Sequence, residues 1–297
     1  MARLIRIAAC QYQPTWQASF SAYEDKISAL VAEAVRQGGQ LLVFPEYGLM
    51  ELASIDGAAA AADLALSLKS AADHNGAAQQ LFARLARSHK LHILAPSGPV
   101  RMANGTFRNR AHLHGATGHP GHQDKLIMTR FEREQWHITG GTELTLFETA
   151  FGKLGILICY DAEFPLPAHA LMEAGAEVLL VPSCTDTPAG AARVRIGAAA
   201  RALEGQCLVV TAPLVGAAPW CPAIDVNAGA AGIFAPPDRG FPDSGVIAEG
   251  AMNVPGWVIG DVDLDEVARV REAGQVLNYR HWGEQVGGAA VRVVGVG

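Results

Sequence analysis

The 297-residue sequence lacks several features that would assign it quickly to a common class of protein. Its five cysteines are odd in number and include no CxxC pair, which argues against a disulfide framework and a zinc knuckle. No apolar run approaches the roughly 20 residues of a membrane span. The opening run is too short for a secretory signal and is typical of a first strand. We therefore expect a cytoplasmic protein without a membrane partner.

An excess of basic charge is also missing. The chain has 23 Lys and Arg against 29 Asp and Glu, a net charge of −6, so we expect no nucleic-acid partner. No long Pro/Ser linker divides the chain, and the Pro/Gly-rich stretch 216–245 is typical of loops that cover a site or form an oligomer contact. Half of the residues are apolar, enough for a large core. The sequence therefore predicts a single domain over residues 1–297.

Short apolar β-rich runs alternate with helical stretches, which is typical of an α/β fold. The first helical stretch has apolar residues at i, i+3, i+4 and i+7, so one face is buried, and "QGGQ" ends it. The sequence predicts helices at 18–37, 76–90, 165–175 and 190–205. It predicts strands at 4–10, 41–45, 91–95, 108–114, 154–159, 178–182, 207–212, 230–234 and 257–263.

Three reactive side chains lie at or near the ends of predicted strands. Glu46 follows "LLVFP", Lys125 follows a Gly/His-rich turn, and Cys159 ends "LGILIC" ahead of the polar "YDAEFP". Open α/β sheets place their ligands at the carboxyl ends of strands. A thiol must lose its proton to act as a nucleophile, and a buried glutamate is a suitable base. A lysine stabilises the negative charge that forms when a carbonyl is attacked.

These residues resemble the nitrilase superfamily of carbon–nitrogen hydrolases, whose catalytic triad is Glu–Lys–Cys. FPE at 44–46, DK at 124–125 and GILICYD at 155–161 match it in order and spacing. Further similar pieces run along nearly the whole chain: "IRIAACQYQP", "ARALEGQC" at 200–207 and "VIGDVDLDEVARVR". The resemblance implies a four-layer α-β-β-α sandwich that forms a homodimer or a higher homo-oligomer.

The resemblance also implies a mechanism that needs no metal and no organic cofactor. The Cys159 thiolate attacks a small amide, Glu46 moves the protons, and a thioester forms and is hydrolysed. The turn after the strand would expose the sulfur, with the N–H of Tyr160 and Lys125 as oxyanion donors. Family members have a second glutamate after the lysine, for which Glu132 is the better match and Glu134 the fallback.

The substrate pocket is predicted from the residues after the triad. Nitrile-hydrolysing relatives have Trp-Glu after the cysteine, whereas Tyr160-Asp161 here favours an amidase or a carbamoylase. Relatives that act on carboxylate-bearing substrates often have an arginine where this chain has Glu163, and a reversed charge should repel an acid. We therefore expect a neutral or cationic amide, with Trp136 and Thr185 as further candidate wall residues.

Other functions remain open from the sequence. A nitrilase, an N-carbamoyl amide hydrolase, an acyl transferase and a non-catalytic binding relative all fit the resemblance. A papain-like Cys–His pair is conceivable, but no signature for it surrounds Cys159. A histidine-rich segment is an alternative zinc site, although its glycines indicate a turn and no carboxylate or cysteine lies at ligand spacing: His112, His114, His119 and His122.

Overall fold

The alternating apolar runs fold into two β-sheets packed face to face, with helices on both outer surfaces. The structure is a computed structural model that describes residues 3–117, 120–285 and 293–295. In chain order its strands are β1 (Leu4–Gln11), β2 (Leu41–Val43), β3 (His92–Leu94), β4 (Gly98–Arg101), β5 (Phe107–His114), β6 (Gly121–Asp124), β7 (Leu146–Glu148), β8 (Lys153–Ile156), β9 (Val178–Ser183), β10 (Leu208–Pro213), β11 (Gly216–Ala217), β12 (Val226–Asn227), β13 (Gly232–Phe234), β14 (Val246–Glu249) and β15 (Gly256–Asp263).

The helices connect strands of the same sheet or flank them. They are α1 (Phe20–Arg36), α2 (Ala58–Ala62), α3 (Leu64–His89), α4 (Arg130–Glu134), α5 (Pro165–Glu173), α6 (Pro188–Gly205), α7 (Leu264–Ala273) and α8 (Asn278–His281). Three 3₁₀ segments, Gly48–Asp56, Cys159–Glu163 and Trp282–Glu284, complete the described secondary structure. Among the described residues, no helix has both the length and the apolar character to cross a bilayer.

Each sheet is built around parallel strands. The first sheet has the order β15-β1-β2-β3-β5-β4, with β6 also paired to β5, and β1, β2 and β3 are parallel. The second sheet has the order β14-β13-β10-β9-β8-β7, with β8, β9 and β10 parallel. Tyr12 and Leu214 form a bridge beyond β1 and β10, so the two sheets are joined where these strands end.

The alternation of side chains along the strands produces the layers. Ile7 and Val43 of the first sheet point inward and share a core with Val209 of the second. The intervening Ala8 and Leu42 point outward and pack in a second cluster with residues of α1 and α3. Helices α5 and α6 cover the outer face of the second sheet. The expected α-β-β-α sandwich is therefore confirmed.

The observed boundaries differ from the expected ones in two places that matter. The helix expected at 76–90 begins at Leu64, because Asp63 caps it by accepting hydrogen bonds from the N–H groups of Ala65 and Leu66. The strand expected at 154–159 ends at Ile156, and Cys159 begins a 3₁₀ turn instead.

Candidate active site

Both sheets contribute to a cluster of ionisable side chains. Glu46 lies three residues after β2, and Lys125 comes directly after β6, both in the first sheet. Cys159 lies three residues after β8 in the second sheet. The face-to-face packing of the sheets brings all three to the wall of one cavity.

Lys125 lies between two carboxylates at the bottom of this cavity. Its Nζ donates to Oε1 of Glu46 and to Oε2 of Glu132, each at 2.7 Å. All three side chains are almost fully buried. A buried ammonium with two partners of this kind is held in one position and one charge state.

Local chain geometry places Glu132 and separates it from Glu134. The segment Thr129–Glu132 is a capping box, in which the Thr129 N–H and hydroxyl donate to Glu132 Oε2 at 2.8 Å. Glu132 Oε1 accepts from the Tyr47 hydroxyl at 2.7 Å. The fallback Glu134 lies on the surface and pairs with Arg130 at 2.9 Å. The geometry therefore places Glu132, and not Glu134, beside Lys125.

Asn109 of β5 also holds the Glu46 carboxylate. Its Nδ2 donates to Glu46 Oε1 at 2.9 Å, the same oxygen that Lys125 contacts. Its Oδ1 accepts from the Ser97 hydroxyl, which in turn accepts from the N–H of Tyr47. Neither Lys125 nor Asn109 contacts Oε2 of Glu46. That oxygen is therefore available to a reacting proton.

The expectation that the turn exposes the Cys159 sulfur is wrong. Cys159 is only 4% exposed, and its Sγ lies 3.8 Å from the carbonyl oxygen of Cys184. Its φ of 51° is in the left-handed region, which costs a residue with a Cβ about 1–2 kcal/mol. Tyr47, directly after Glu46, has a φ of 54°. A substrate therefore approaches the Cys159 sulfur through the cavity and not from the outer surface.

Burial controls the protonation of the base and the thiol. It raises the pKa of Glu46 to about 7, with Lys125 acting in the opposite direction and Glu132 adding to the rise. Burial also raises the pKa of the Cys159 thiol well above its ordinary value, the Glu46 carboxylate adds to this, and Lys125 opposes it. The resting thiol is therefore protonated, and it becomes a nucleophile only when its proton is removed.

The pKa values of Lys125 and Glu132 shift in the opposite sense. Burial disfavours the Lys125 ammonium, but Glu46 and Glu132 outweigh it and raise the pKa of Lys125 well above its ordinary value. Burial likewise disfavours the ionised Glu132, but Lys125 and hydrogen bonds from Tyr47 and Thr129 lower the pKa of Glu132. At neutral pH both are charged, so Glu46 is the member of the cluster that can exchange a proton.

The cavity has a volume of about 580 Å³, large enough for a small organic molecule. Tyr160, Trp136 and Thr185, the expected wall residues, all line it. Trp136 lies just beyond the end of α4, with its ring 4.8 Å from that of Tyr47. Thr185 uses its hydroxyl to donate to the carbonyl of Ala228 at 2.6 Å. No described group accepts a hydrogen bond from the N–H of Tyr160.

Glu163 lines the cavity, but its charge is opposed by a neighbour that the sequence did not indicate. Arg193 of α6 lies 3.6 Å from Glu163 Oε1 and also borders the cavity. The negative charge that the sequence indicated at position 163 is therefore partly neutralised, and the expected repulsion of an acidic substrate stays a prediction. The rim also contains Asp186 and Asp225, both exposed, for which the described residues supply no basic partner within 4 Å.

Several residues of the site were not identified from the sequence. The motif at 129–132 has the capping-box pattern that would have located Thr129. Tyr47 has only its position after Glu46 as a signal, and Asn109 and Arg193 have none. Cys184, for which no sequence pattern indicated a role, also borders the cavity. Part of the 216–245 stretch does so too: Pro222, Ala223, Asp225 and Val226.

The alternative zinc site falls partly outside the described residues, because His119 is not among them. The rings of His112 and His114 lie 6.3 Å apart on β5, and His122 of β6 is 5.9 Å from His112. Burial lowers the pKa of His112 to about 3 and that of His114 to about 4. Within the described ranges, no three His, Cys, Asp or Glu side chains are placed to hold a metal ion.

The sandwich and the buried cluster have the arrangement that the resemblance to the nitrilase superfamily implies, and sequence comparison identifies the family. Residues 6–272 match the profile described as carbon-nitrogen hydrolase, so the chain belongs to that family. It is 33% identical over 276 residues to a probable hydrolase, YhcX, of Bacillus subtilis (strain 168), covering 93% of this chain and 53% of that protein. The chain thus spans about half the length of this relative.

Two further relatives differ in their named activities. Over 286 residues the chain is 27% identical to the bifunctional nitrilase/nitrile hydratase NIT4A of Lupinus angustifolius, covering 86% of this chain and 77% of that protein. The crystal structure of an amidase from Nesterenkonia sp. superposes with a TM-score of 0.66 at 21% identity, covering 94% and 96% of the two chains. The latter likeness establishes the fold and not the substrate.

Proposed function

We propose that this protein is a cysteine-dependent amidase that hydrolyses a small neutral or cationic amide to an acid and ammonia or an amine. The observation that carries the proposal is the buried cluster of Glu46, Lys125 and Glu132 in the same cavity as Cys159. A binding protein gains nothing from two buried carboxylates around one ammonium beside a thiol, since each buried charge costs free energy. A nucleophilic hydrolase needs all of these groups.

The proposed acylation uses the free oxygen of Glu46. Glu46 Oε2 takes the Cys159 proton as the sulfur attacks the amide carbonyl, and the C–N bond breaks as the same oxygen protonates the leaving nitrogen. Lys125 and the N–H of Tyr160 stabilise the oxyanion between these two steps. A raised pKa suits this use, because a group with a pKa near 7 both accepts and returns a proton at neutral pH.

Deacylation repeats the steps with water in place of the amide. Glu46 Oε2 removes a proton from a water molecule that attacks the thioester, and the proton then returns to the sulfur as the acid leaves. Glu132 keeps Lys125 charged and in place throughout, because Thr129 and Tyr47 hold its carboxylate. The chemistry involves only groups of this chain, the substrate and water, and it uses no cofactor.

Mass spectrometry of the protein with small amides tests the nucleophile. We expect an acyl adduct on the peptide containing Cys159, retained in Cys184→Ala and absent from Cys159→Ala. Ammonia release from the same amides should be lost in Cys159→Ala while the melting temperature stays close to that of the unmodified protein. An adduct on Cys184, or turnover by Cys159→Ala, would contradict the proposal.

The rim of the cavity supports a neutral or cationic substrate. Arg193 opposes Glu163. Arg130 also borders the cavity, but it pairs with a glutamate outside it. The unpaired negative charge therefore comes from Asp186 and Asp225. These carboxylates are exposed and screened by salt, so we expect an effect of only about 1 kcal/mol, or about fivefold in kcat/KM. A simple amide should be hydrolysed that much faster than the corresponding half-amide of a dicarboxylic acid.

Two variants separate the contributions of the rim charges. Asp225→Asn should narrow the preference for the simple amide, since it removes one repelling carboxylate. Glu163→Gln should narrow it more, because it also frees Arg193 to pair with the acid. If the unmodified protein prefers the half-amide, the proposal of a neutral or cationic substrate is wrong. A carboxylate-bearing substrate, such as an N-carbamoyl amino acid or the ω-amide of a dicarboxylic acid, would then be favoured.

Nitrile hydrolysis is the second candidate, because a relative aligned over most of the chain is named a nitrilase/nitrile hydratase. The pair Tyr160-Asp161 favours the amide over the nitrile. Ammonia release measured in parallel from an amide, its nitrile and its N-carbamoyl analogue distinguishes the three. Faster ammonia release from the nitrile than from the amide would make nitrile hydrolysis the first candidate function.

A further inference from the structure

Asp161, two residues after the nucleophile, has a carboxylate that contacts backbone on both sides of the active site. It is 1% exposed, and its oxygens accept hydrogen bonds from three N–H groups. Ile127 donates to Oδ1 at 2.8 Å, and Leu126 contacts both oxygens at 3.1 and 3.2 Å. Ile158 donates to Oδ2 at 3.3 Å. The carboxylate thus ties together two segments that are far apart in the sequence.

These donors are direct chain neighbours of the reacting groups. Leu126 and Ile127 come immediately after Lys125, and Ile158 comes immediately before Cys159. We propose that Asp161 is a positioning residue that fixes the Cys159 sulfur relative to the Lys125 ammonium by binding the backbone beside each. The inference builds on the proposed role of these two groups.

Two observations support a positioning role over simple packing. Cys159 has a left-handed φ of 51°, a conformation that persists only when its surroundings enforce it. Asp161 closes the turn that contains this residue, since its side chain accepts from the N–H of Ile158 and its own N–H donates to the carbonyl of Ile158 at 3.1 Å. Hydrogen bonds from N–H groups to an ionised carboxylate are stronger than neutral ones.

Asp161→Asn tests the role with little change in shape. The amide replaces an accepting oxygen with a donor that faces N–H groups, so the ties to Leu126, Ile127 or Ile158 weaken. We expect kcat to fall about tenfold to a hundredfold, as for a misplacement of reacting groups by a fraction of an ångström to an ångström, with KM changed less than about threefold. Asp161→Ala, which removes both oxygens, should lower kcat further.

Asp238→Asn is the matched control. Asp238 is a buried aspartate whose carboxylate also accepts from backbone N–H groups, those of Arg239 and Gln275, and it does not border the cavity. We expect this variant to lose melting temperature without losing kcat per folded molecule. Equal loss of kcat in Asp161→Asn and Asp238→Asn at equal loss of stability would overturn the proposal.

Alkylation of Cys159 provides a readout that does not require turnover. The rate of modification by iodoacetamide at pH 7, followed on the Cys159 peptide, should fall about tenfold in Asp161→Asn, because the thiol moves away from its base. A faster rate would mean that the turn merely loosened and became accessible, and the positioning role would be wrong. If the unmodified protein hydrolyses no amide, the proposed function fails, while the alkylation rates still decide the role of Asp161.

Discussion

The two oxygens of the Glu46 carboxylate lie in different surroundings. Oε1 accepts from Lys125 and Asn109, whereas neither of these donors contacts Oε2. Asn109 therefore does more than fill space, because its amide fixes which oxygen faces the reaction. An asparagine inside a strand carries no sequence signal of such a role.

Replacing Asn109 by aspartate should shift the pH dependence of kcat/KM. A second carboxyl beside Glu46 disfavours ionisation of the base, so the acid limb, expected near the Glu46 pKa of about 7, should move up by about one pH unit or more. The sign follows because the base is active only when deprotonated. The measurement is kcat/KM against pH for a neutral amide.

Asn75→Asp is the control for this shift. Asn75 is also buried, donates to the carbonyl of Pro99 and does not border the cavity. This variant should lose stability and keep the acid limb in place. An unchanged limb in Asn109→Asp would remove Asn109 from the proton-transfer machinery.

At the scale of elements, helix α6 packs directly on the turn that contains the nucleophile. Gly197 of α6 approaches so closely that a Cβ on it would lie 2.9 Å from the carbonyl oxygen of Ala162. Gly76 of α3, by contrast, has open space around the corresponding position. A side chain therefore fits at Gly76 but not at Gly197 without a shift of the backbone.

Alanine at these two positions should act in opposite directions. Gly197→Ala should destabilise the protein by about 1–3 kcal/mol and lower kcat, since the backbone of the turn must shift. Gly76→Ala should be neutral or stabilise by up to about 1 kcal/mol, because alanine favours a helix. Urea denaturation and kcat per folded molecule measure both. An intact kcat in Gly197→Ala would show that α6 does not constrain the turn.

The elements differ in how far the sequence could predict them. The strands of the parallel centres were located closely, because both faces of such strands are apolar. The start of α3 was missed because "HNG" at 74–76 is typical of a turn, yet Asn75 has a tertiary partner and Gly76 lies within the helix. Six short strands were also missed, since they bury little apolar surface: β4, β6, β7, β11, β12 and β14.

The site was predictable to a different extent. The order and spacing of Glu46, Lys125 and Cys159 indicated a common site because reactive residues at strand ends converge in this type of fold. The contacts of Asn109 and Arg193 depend on how the two sheets and α6 pack. Their side chains come from elements whose sequences are ordinary, so no local pattern could identify them.

At the scale of the whole molecule, the buried Glu46 links stability to pH. Its pKa of about 7 in the folded protein lies above the ordinary 4.5, so the folded state binds more protons between these values and stability falls as pH rises. Glu46→Gln should lack this loss, which amounts to about 3 kcal/mol. The free energy of unfolding of Glu46→Gln, relative to that of the unmodified protein, should increase between pH 4 and 8.

The difference between the two proteins is the quantity to measure. His112 and His114 have lowered pKa values and act with the opposite sign at acid pH, but both proteins contain them, so their effect cancels. Urea denaturation at several pH values gives both curves. A constant difference across the range would mean that Glu46 does not have a raised pKa.

The homo-oligomer implied by the family resemblance remains a prediction for the whole molecule. Apolar side chains on α5 and α6 are largely exposed in the single chain, among them Leu166 and Ile196. We expect a dimer or larger assembly by light scattering and its weakening in Ile196→Lys. Leu4→Lys, which changes an exposed apolar side chain on β1, is the control. A monomeric unmodified protein would contradict the prediction.

The enclosed group of two carboxylates and one ammonium, described above as a geometric cluster, also fixes an electrical property of the reaction. In the proposed cycle a proton moves from sulfur to Glu46 and then to the departing nitrogen. With a neutral substrate and an ionised resting Glu46, the summed charge of this group, Cys159 and the substrate therefore stays at −1 at every stage. No counter-ion needs to enter or leave as the chemistry proceeds. We therefore expect kcat for a neutral amide to change less than about twofold between about 0.05 and 0.5 M salt, whereas KM for a cationic amide should rise as screening weakens its attraction to the rim.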